Sequence, residues 1–459
     1  DDTANGAAPS NVTLINVNFM GNKAQGGNGG IGNGDLTEFF GDGGGGGLGQ
    51  DGLAGAPSDA AGGGGGIGSG SGAGIVLGAA AGGGSPGAGS GSPDGGVGAN
   101  SLTSPHASLG GGGGGVGGTP GQDFGVQYNN GILLDNLGGD GGFGGGGGGG
   151  SNEGRIGSDH VVGTSGSGGF GGGGGGGFIT AGASQFGGGG GGGFNPGSAG
   201  FGAGDGSFRP FAPGTPSAGD GGGGLGAGGA VFVMHGASLS ITGGTLANGT
   251  VVSGQGAESG MTGGASDGQA YGAGIFIQGN QSITFGAGQT SLQITTINGD
   301  ITDQSGSDPG NVYGQPGAGK VFIAGAGLVV LGGNNSYTGG TEIQGGTLKI
   351  AANGNIGSGS LTMDDGTAVN LTGIATFNHA IALNGDPTIE VDSGTTTETG
   401  VISGVGADLV KTGAGTLVLN PAGGSNTYTG GTTIAGGVLE LATANAAGTG
   451  AITFGSGVH

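Results

Sequence analysis

Gly413-Ala-Gly-Thr-Leu-Val-Leu419 leads into Asn426-Thr-Tyr-Thr-Gly-Gly-Thr432, then Ile434 and Gly436-Gly-Val-Leu439. The same order of residues stands earlier in the chain, as Gly325-Ala-Gly-Leu-Val-Val-Leu331, Asn335-Ser-Tyr-Thr-Gly-Gly-Thr341, Ile343 and Gly345-Gly-Thr-Leu348. The offset is 88 residues at Leu331 and Leu419 but 91 at Tyr337 and Tyr428, so the later copy carries a three-residue loop insertion. Within each copy apolar and polar residues alternate, as in a strand with one buried face. One short strand of this kind buries too little to be stable. Stacked as successive rungs, such strands share a core and accept insertions at their turns.

Working outward, the pattern holds across 229–459. Ala230-Val-Phe-Val-Met234, Ser238-Leu-Ser-Ile-Thr242, Gly274-Ile-Phe-Ile-Gln278, Ser282-Ile-Thr-Phe285 and Thr388-Ile-Glu-Val391 are short alternating runs between Gly, Asn and Asp turns. Asn11-Val-Thr-Leu-Ile-Asn-Val-Asn-Phe19 reads the same way, and no amphipathic helix is legible. The expected organisation is a first rung in 1–24, a glycine-rich insertion over 25–228, and a solenoid over 229–459 with repeats at 325–350 and 413–441. The expected fold is all-β, a parallel β-solenoid.

Composition narrows the function. Glycine supplies 144 of 459 residues, but without a strict three-residue period, which excludes a collagen triple helix. With 29 acidic and 6 basic residues the net charge is −23. A phosphate backbone or an anionic membrane surface needs a basic patch, so nucleic acid is excluded as a partner. No cysteine is present, so neither a disulfide framework nor a thiolate metal site is available. No run of 18 apolar residues offers a membrane-spanning helix. The chain shows no leader, so an export signal is expected to have been removed or to lie outside these residues.

Inside the glycine-rich block Phe143, Phe170 and Phe186 each head seven consecutive glycines, at 144–150, 171–177 and 187–193. Two readings stand. Glycine has the most conformational entropy to lose, which favours a flexible spacer. Equal runs with an aromatic head favour registered elements, as in a bundle of polyglycine-II helices with three residues per turn. In the second reading the phenylalanines, Ile75-Val-Leu77 and Gly131-Ile-Leu-Leu134 form apolar ends or a seam.

The two repeats resemble the autotransporter-associated β-strand repeat: a leucine-rich strand, Asn-Thr-Tyr-Thr-Gly-Gly-Thr, then Gly-Gly-Thr-Leu. Val401-Ile-Ser-Gly-Val-Gly-Ala-Asp-Leu-Val-Lys-Thr-Gly-Ala-Gly-Thr416 matches the pattern upstream of it. Phe19-Met-Gly-Asn22 is similar to the Phe-x-x-Asn rung of polymorphic outer-membrane passengers, and Gly228-Gly-Ala-Val231 to its companion element. The resemblance implies a right-handed parallel β-helix passenger of a bacterial surface protein, exported through a β-barrel that these residues do not contain. Asn335, Tyr337, Gly339, Gly340, Asn426, Tyr428, Gly430 and Gly431 are then the structural repeat positions, the tyrosines covering rung edges and the asparagines in turns or ladders.

Chemistry is sparse. Asp364-Asp365 and Asp300 with Asp303 offer adventitious Ca2+ ligands, but turn formation accounts for them. Aspartates near 35–42, 140 and 220 lack the nine-residue period of a calcium β-roll. Gly68-Ser-Gly-Ser-Gly72 mimics a nucleophile elbow without its strand and helix. His106, His160, His235, His379 and His459 stand singly, and no glycine run continues into Gly-Lys-Ser/Thr. Glu390 with Asp392 on one strand is the pair a glycosidase would use. The expectation is a non-enzymatic, cofactor-free extracellular adhesin or stalk. Its partners would be a surface receptor, carbohydrate or other cells. Alternatives are a self-assembling fibre or biofilm-matrix protein and, further off, a polysaccharide-degrading enzyme or an ice-binding protein.

Overall fold

The structure is a computed structural model. It describes residues 10–34, 40–54, 64–66, 75–76, 79–80, 122–123, 136–137, 140, 146–147, 164–208, 219–258 and 264–455. Two compact units emerge: Asp1–Asn22, Gly228–Thr250 and Gly272–His459 form one, Lys23–Ala227 and Val251–Tyr271 the other. Residues 251–271, read from sequence as solenoid, thus group with the glycine-rich residues.

The first unit is a parallel β-solenoid. A rung runs through Val231–Val233, Ser238–Thr242 and Gly244–Leu246; the next through Ile275–Ile277, Ser282–Phe285 and Ile294–Ile297; the third through Ile301–Asp303, Lys320–Ile323 and Leu328–Leu331. Each strand pairs in parallel with its counterpart on the next rung. The second face grows into an eight-stranded sheet and the third into a nine-stranded one. The first face carries a three-stranded sheet up to Asp303 and a four-stranded one from Thr376. Between them, Asn335–Tyr337 and the 3-10 turn Asn353–Ile356 occupy that face. Asn11–Ile15 pairs with Ser238–Thr242 and Phe19 with Leu246, which makes 11–19 the rung before the first.

Alternation explains why these residues take this fold. On the second face Leu239, Ile283, Val321, Thr341, Leu361, Ile381 and Ile402 follow one another in register. All seven are buried, while the residues between them are half-exposed. A buried Leu or Ile contributes about 1.5–3 kcal/mol over leaving it in water. A register slip of one residue would turn that column outward, so the pairing is strongly specified.

The second unit is built from glycine segments whose amides bond between segments. Gly171, Gly174 and Gly177 donate to the carbonyls of Phe186, Gly189 and Gly192. Gly187, Gly190 and Gly193 donate in turn to Phe201, Gly204 and Ser207. Amides three apart therefore reach the same neighbour. Those between reach others: Gly189 and Gly192 donate to Gly46 and Gly43, and Gly191 to Gly182. Packing this close excludes side chains. A Cβ on Gly190 would overlap the carbonyl oxygen of Gly197, and one on Gly189 that of Gly222.

Candidate functional site

The two repeats build the same corner. Asn335 is buried and accepts the Ile301 amide from the rung below at 2.7 Å, while its Nδ2 donates to the Asn355 carbonyl of the rung above. Asn426 accepts the Ile402 amide at 2.7 Å and donates to the Ala446 carbonyl at 2.6 Å. Each asparagine thus clips three successive rungs where the backbone turns and the ladder lapses. Both tyrosines are fully buried, not laid over a rung edge. The Tyr337 hydroxyl pairs with Thr341 Oγ1 at 2.6 Å, and that of Tyr428 with Thr432 Oγ1 at 2.7 Å. Burial raises the pKa of both phenols. Each ring stacks over a left-handed glycine, Gly357 at φ +68° and Gly448 at φ +69°, whose missing Cβ makes room for it. Gly339 and Gly430 donate to Gly319 and Ala407 on the preceding rung. Gly340 turns at φ +85°; Gly431 instead donates its amide to Asp408 Oδ1.

These equal corners lie on different faces. In the earlier copy Leu328–Leu331 is in the nine-stranded sheet and Thr341–Ile343 in the eight-stranded one. In the later copy Thr416–Leu419 is in the four-stranded sheet and Thr432–Ile434 in the nine-stranded one. Down the third face Leu328 is followed in register by Thr347, Ala368, Thr388 and Val410. Val410 lies 410 − 328 = 82 residues on, whereas the repeat offset is 416 − 328 = 88. The extra six residues carry the motif round to the next face.

Two buried charged groups escaped the sequence reading, and a third, Asp303, was read from the sequence only as a turn residue or adventitious Ca2+ ligand. Lys411 is in register with Ile389 and Ile434 in the inward column of the third face. Its ammonium donates to the carbonyls of Thr412, Gly413 and Gly436, and burial lowers its pKa. Asp303 is fully buried; Oδ2 accepts the Gly319 amide and the Thr338 amide and hydroxyl, Oδ1 the Gly306 amide. Desolvation still raises its pKa against those four donors. Glu398 is fully buried as well. Alternation gave no hint of any of them, because a charged residue at an inward position reads as a break in the pattern.

The carboxylates that the sequence offered as calcium or glycosidase candidates serve as cross-links between rungs. Asp300 accepts the Asn334 amide, Asp364 the Asn384 side chain and Asp365 the Asp386 amide. Asn370 Nδ2 donates to both Glu390 at 2.8 Å and Asp392 at 3.0 Å, and Lys349 stands 3.7 Å from Asp392. Among the described residues no group of three or more His, Cys, Asp or Glu is placed to hold a metal ion. No helix there is long and apolar enough to cross a membrane.

In the glycine-rich unit Phe170 and Phe186 stack with ring centroids 5.4 Å apart, and Phe186 and Phe201 at 5.0 Å. Phe143 and its run, save Gly146 and Gly147, lie outside the described residues, as do Leu77 and 131–134. Gly171, Gly187 and Gly202 each follow one of the three described rings with φ near +70 to +80°. The third step, Phe201-Gly202-Ala203, was missed because its run is not pure glycine. Six aspartates form a second device: Asp42, Asp51, Asp140, Asp205, Asp220 and Asp267 accept the amides of Gly219, Asn28, Ser167, Ala199, Gly32 and Gly256. Every one of them is followed by glycine, so the Asp-Gly dipeptide is the signal that sequence reading passed over.

Residues 324–350 and 409–441 match the model of the passenger-associated-transport-repeat family. Over 128 residues, 27% of this chain, the sequence is 44% identical to the adhesin BmaC autotransporter of Brucella suis biovar 1 (strain 1330). The chain spans only 4% of the length of that relative. No solved structure matches. Both matches support an autotransporter passenger domain, and with it a bacterial cell-surface or secreted location.

Proposed function

We propose that this segment is a non-enzymatic adhesive part of a surface passenger, with the solenoid as a stiff support and the glycine-rich unit as a broad contact surface for a receptor, a carbohydrate or another cell. The observation that carries the reading is the repeat corner, found twice with the same asparagine and tyrosine bonds inside one continuous parallel ladder. Such a corner commits its polar side chains to rung-to-rung closure, which is the requirement of a mechanical element. The likeness to an autotransporter adhesin agrees with it. In this reading the solenoid is right-handed, as parallel crossovers are. In sequence, 1–24, 25–228 and 229–459 are first rung, insertion and stalk, with 251–271 grouping with the insertion. The glycine runs are polyglycine-II helices: a helix with three residues per turn returns every third amide to the same neighbour. Beads coated with the purified chain should bind host cells or immobilised surface glycans above an albumin control. Equal retention on both surfaces would end the adhesive reading.

A second reading, self-association into fibres, rests on the same bonds between glycine segments. It requires a sedimentation coefficient that rises with concentration.

A further inference from the structure

One titratable side chain on the first face of the solenoid fits its surroundings only when it carries a proton. Glu398 ends the strand Thr395–Glu398 and lies in register between Phe377 and Leu419. It is fully buried; Oε1 accepts the Gly400 amide at 2.7 Å and Oε2 has no hydrogen-bond partner. An ionised carboxylate there would be desolvated with a single donor, and burial pushes the carboxyl up to about 9. The strands stacked on it, Thr376–Phe377 and Thr416–Leu419, contain no charged residue.

His379 lies one rung earlier and is 6% exposed. Its Nδ1 is 2.8 Å from the Gly359 carbonyl oxygen and its Nε2 2.9 Å from that of Asn353. Both carbonyls belong to the rung below, whose 353–360 stretch carries no charged side chain. Nearby charges are engaged elsewhere: the Lys411 ammonium by three carbonyls, and Glu440 on an exposed strand position.

We infer that a proton acts as a structural ligand of this stretch: uptake at Glu398 tightens the stack of rungs from Thr376 to Leu419, and its loss loosens it. For Glu398 the sign is set by a folded-state pKa above the unfolded one. Its contribution is complete below the unfolded value and declines as pH rises towards the folded one. Over that window the opening constant of the stack rises by up to about tenfold per pH unit for each proton released. The surface segment would therefore be firmest in acid.

Hydrogen exchange of the whole chain from pH 5 to 9, with intrinsic rates divided out, tests this. The amides of Thr397 and Thr399, which donate to Ala375 and Phe377, report on these rungs. Their opening constant should climb by about tenfold between pH 6 and 7 and again towards pH 8. Amides around Ile283 should stay flat. Glu398→Gln should remove the slope. A flat wild-type profile, or a slope unchanged in Glu398→Gln, would overturn the inference. Should the variant not fold, infrared spectra of the wild type at pH 7 decide: a protonated-carboxyl band that vanishes only on unfolding is expected, and its absence refutes the proposal.

Discussion

Ile323 and Lys411 hold the same place in the two repeats, 88 residues apart, and both side chains are fully buried. The earlier copy fills the position with hydrocarbon. The later one fills it with a lysine stem whose ammonium reaches three carbonyls at the corner beyond Thr412. One corner geometry accommodates both because the carbonyls of a turning strand are already present, and a long side chain only has to reach them. Desolvating an ammonium costs several kcal/mol, which three carbonyl acceptors offset in part. Lys411→Met is therefore expected to be neutral or stabilising, while Lys411→Ala leaves a void and costs about 2–4 kcal/mol. Local unfolding free energies of the 409–434 amides would distinguish the two.

Asn426→Ala strands the Ile402 amide and the Ala446 carbonyl in the interior, at about 1–3 kcal/mol each. Exchange protection at Ile402 and across 445–449 should fall, with the corner of the earlier repeat unaffected. Loss of protection around Asn335 as well would show that the two corners act as one cooperative unit.

Gly190→Ala should disrupt the glycine-rich unit, since the new methyl collides with backbone and not with a movable side chain. Protection over 164–208 is expected to collapse. Gly310→Ala is the matching control, with ordinary backbone and only the Val312 side chain at van der Waals distance, 3.5 Å, and should stay within about 0.5 kcal/mol of the parent.

Asp220 is fully buried and accepts the Gly32 amide at 2.8 Å. Asp220→Ala should loosen the segments around Gly32 and Gly221 by about 1–3 kcal/mol, and Asp220→Asn, which keeps the acceptor, by much less. Equal losses would mean that the negative charge, not the accepted bond, matters.

The buried phenols give a pH signature. Their folded-state pKa values lie above the unfolded one, so the stability they contribute is whole below the ordinary tyrosine range and drains away as alkali rises. Ultraviolet titration of the five tyrosines should show at least two ionising only together with loss of β-structure. Tyr337→Phe with Tyr428→Phe should abolish that late step.

The solenoid was legible because inward columns such as Leu239, Ile283 and Val321 write themselves into the sequence as strict alternation. The repeat corners were legible too, through Asn-x-Tyr-Thr-Gly-Gly-Thr. Their difference of face was not, because a one-dimensional offset of 88 carries no angle until the rung lengths that add up to it are known. The burial of Asp303, Glu398 and Lys411 stayed hidden for the opposite reason: residue type argues for the surface, and only the carbonyls, amides and hydrocarbon around them explain the interior. In the glycine-rich residues, composition left both order and flexibility open. The aspartates that close the segments looked like turn residues, because an Asp-Gly pair has the same appearance in both roles.

The one-face offset between the repeats has a bearing on display. The loop after Leu331 has three residues before Asn335, and the loop after Leu419 has six before Asn426. The shorter joins the third face to the first, the longer the first to the second. Repetition with a shift of face turns the same corner toward a new compass bearing, so probes raised against one loop would approach from a different side than probes against the other, although the scaffolds beneath are the same. Diversity of direction, more than diversity of fold, is what such a repeat supplies.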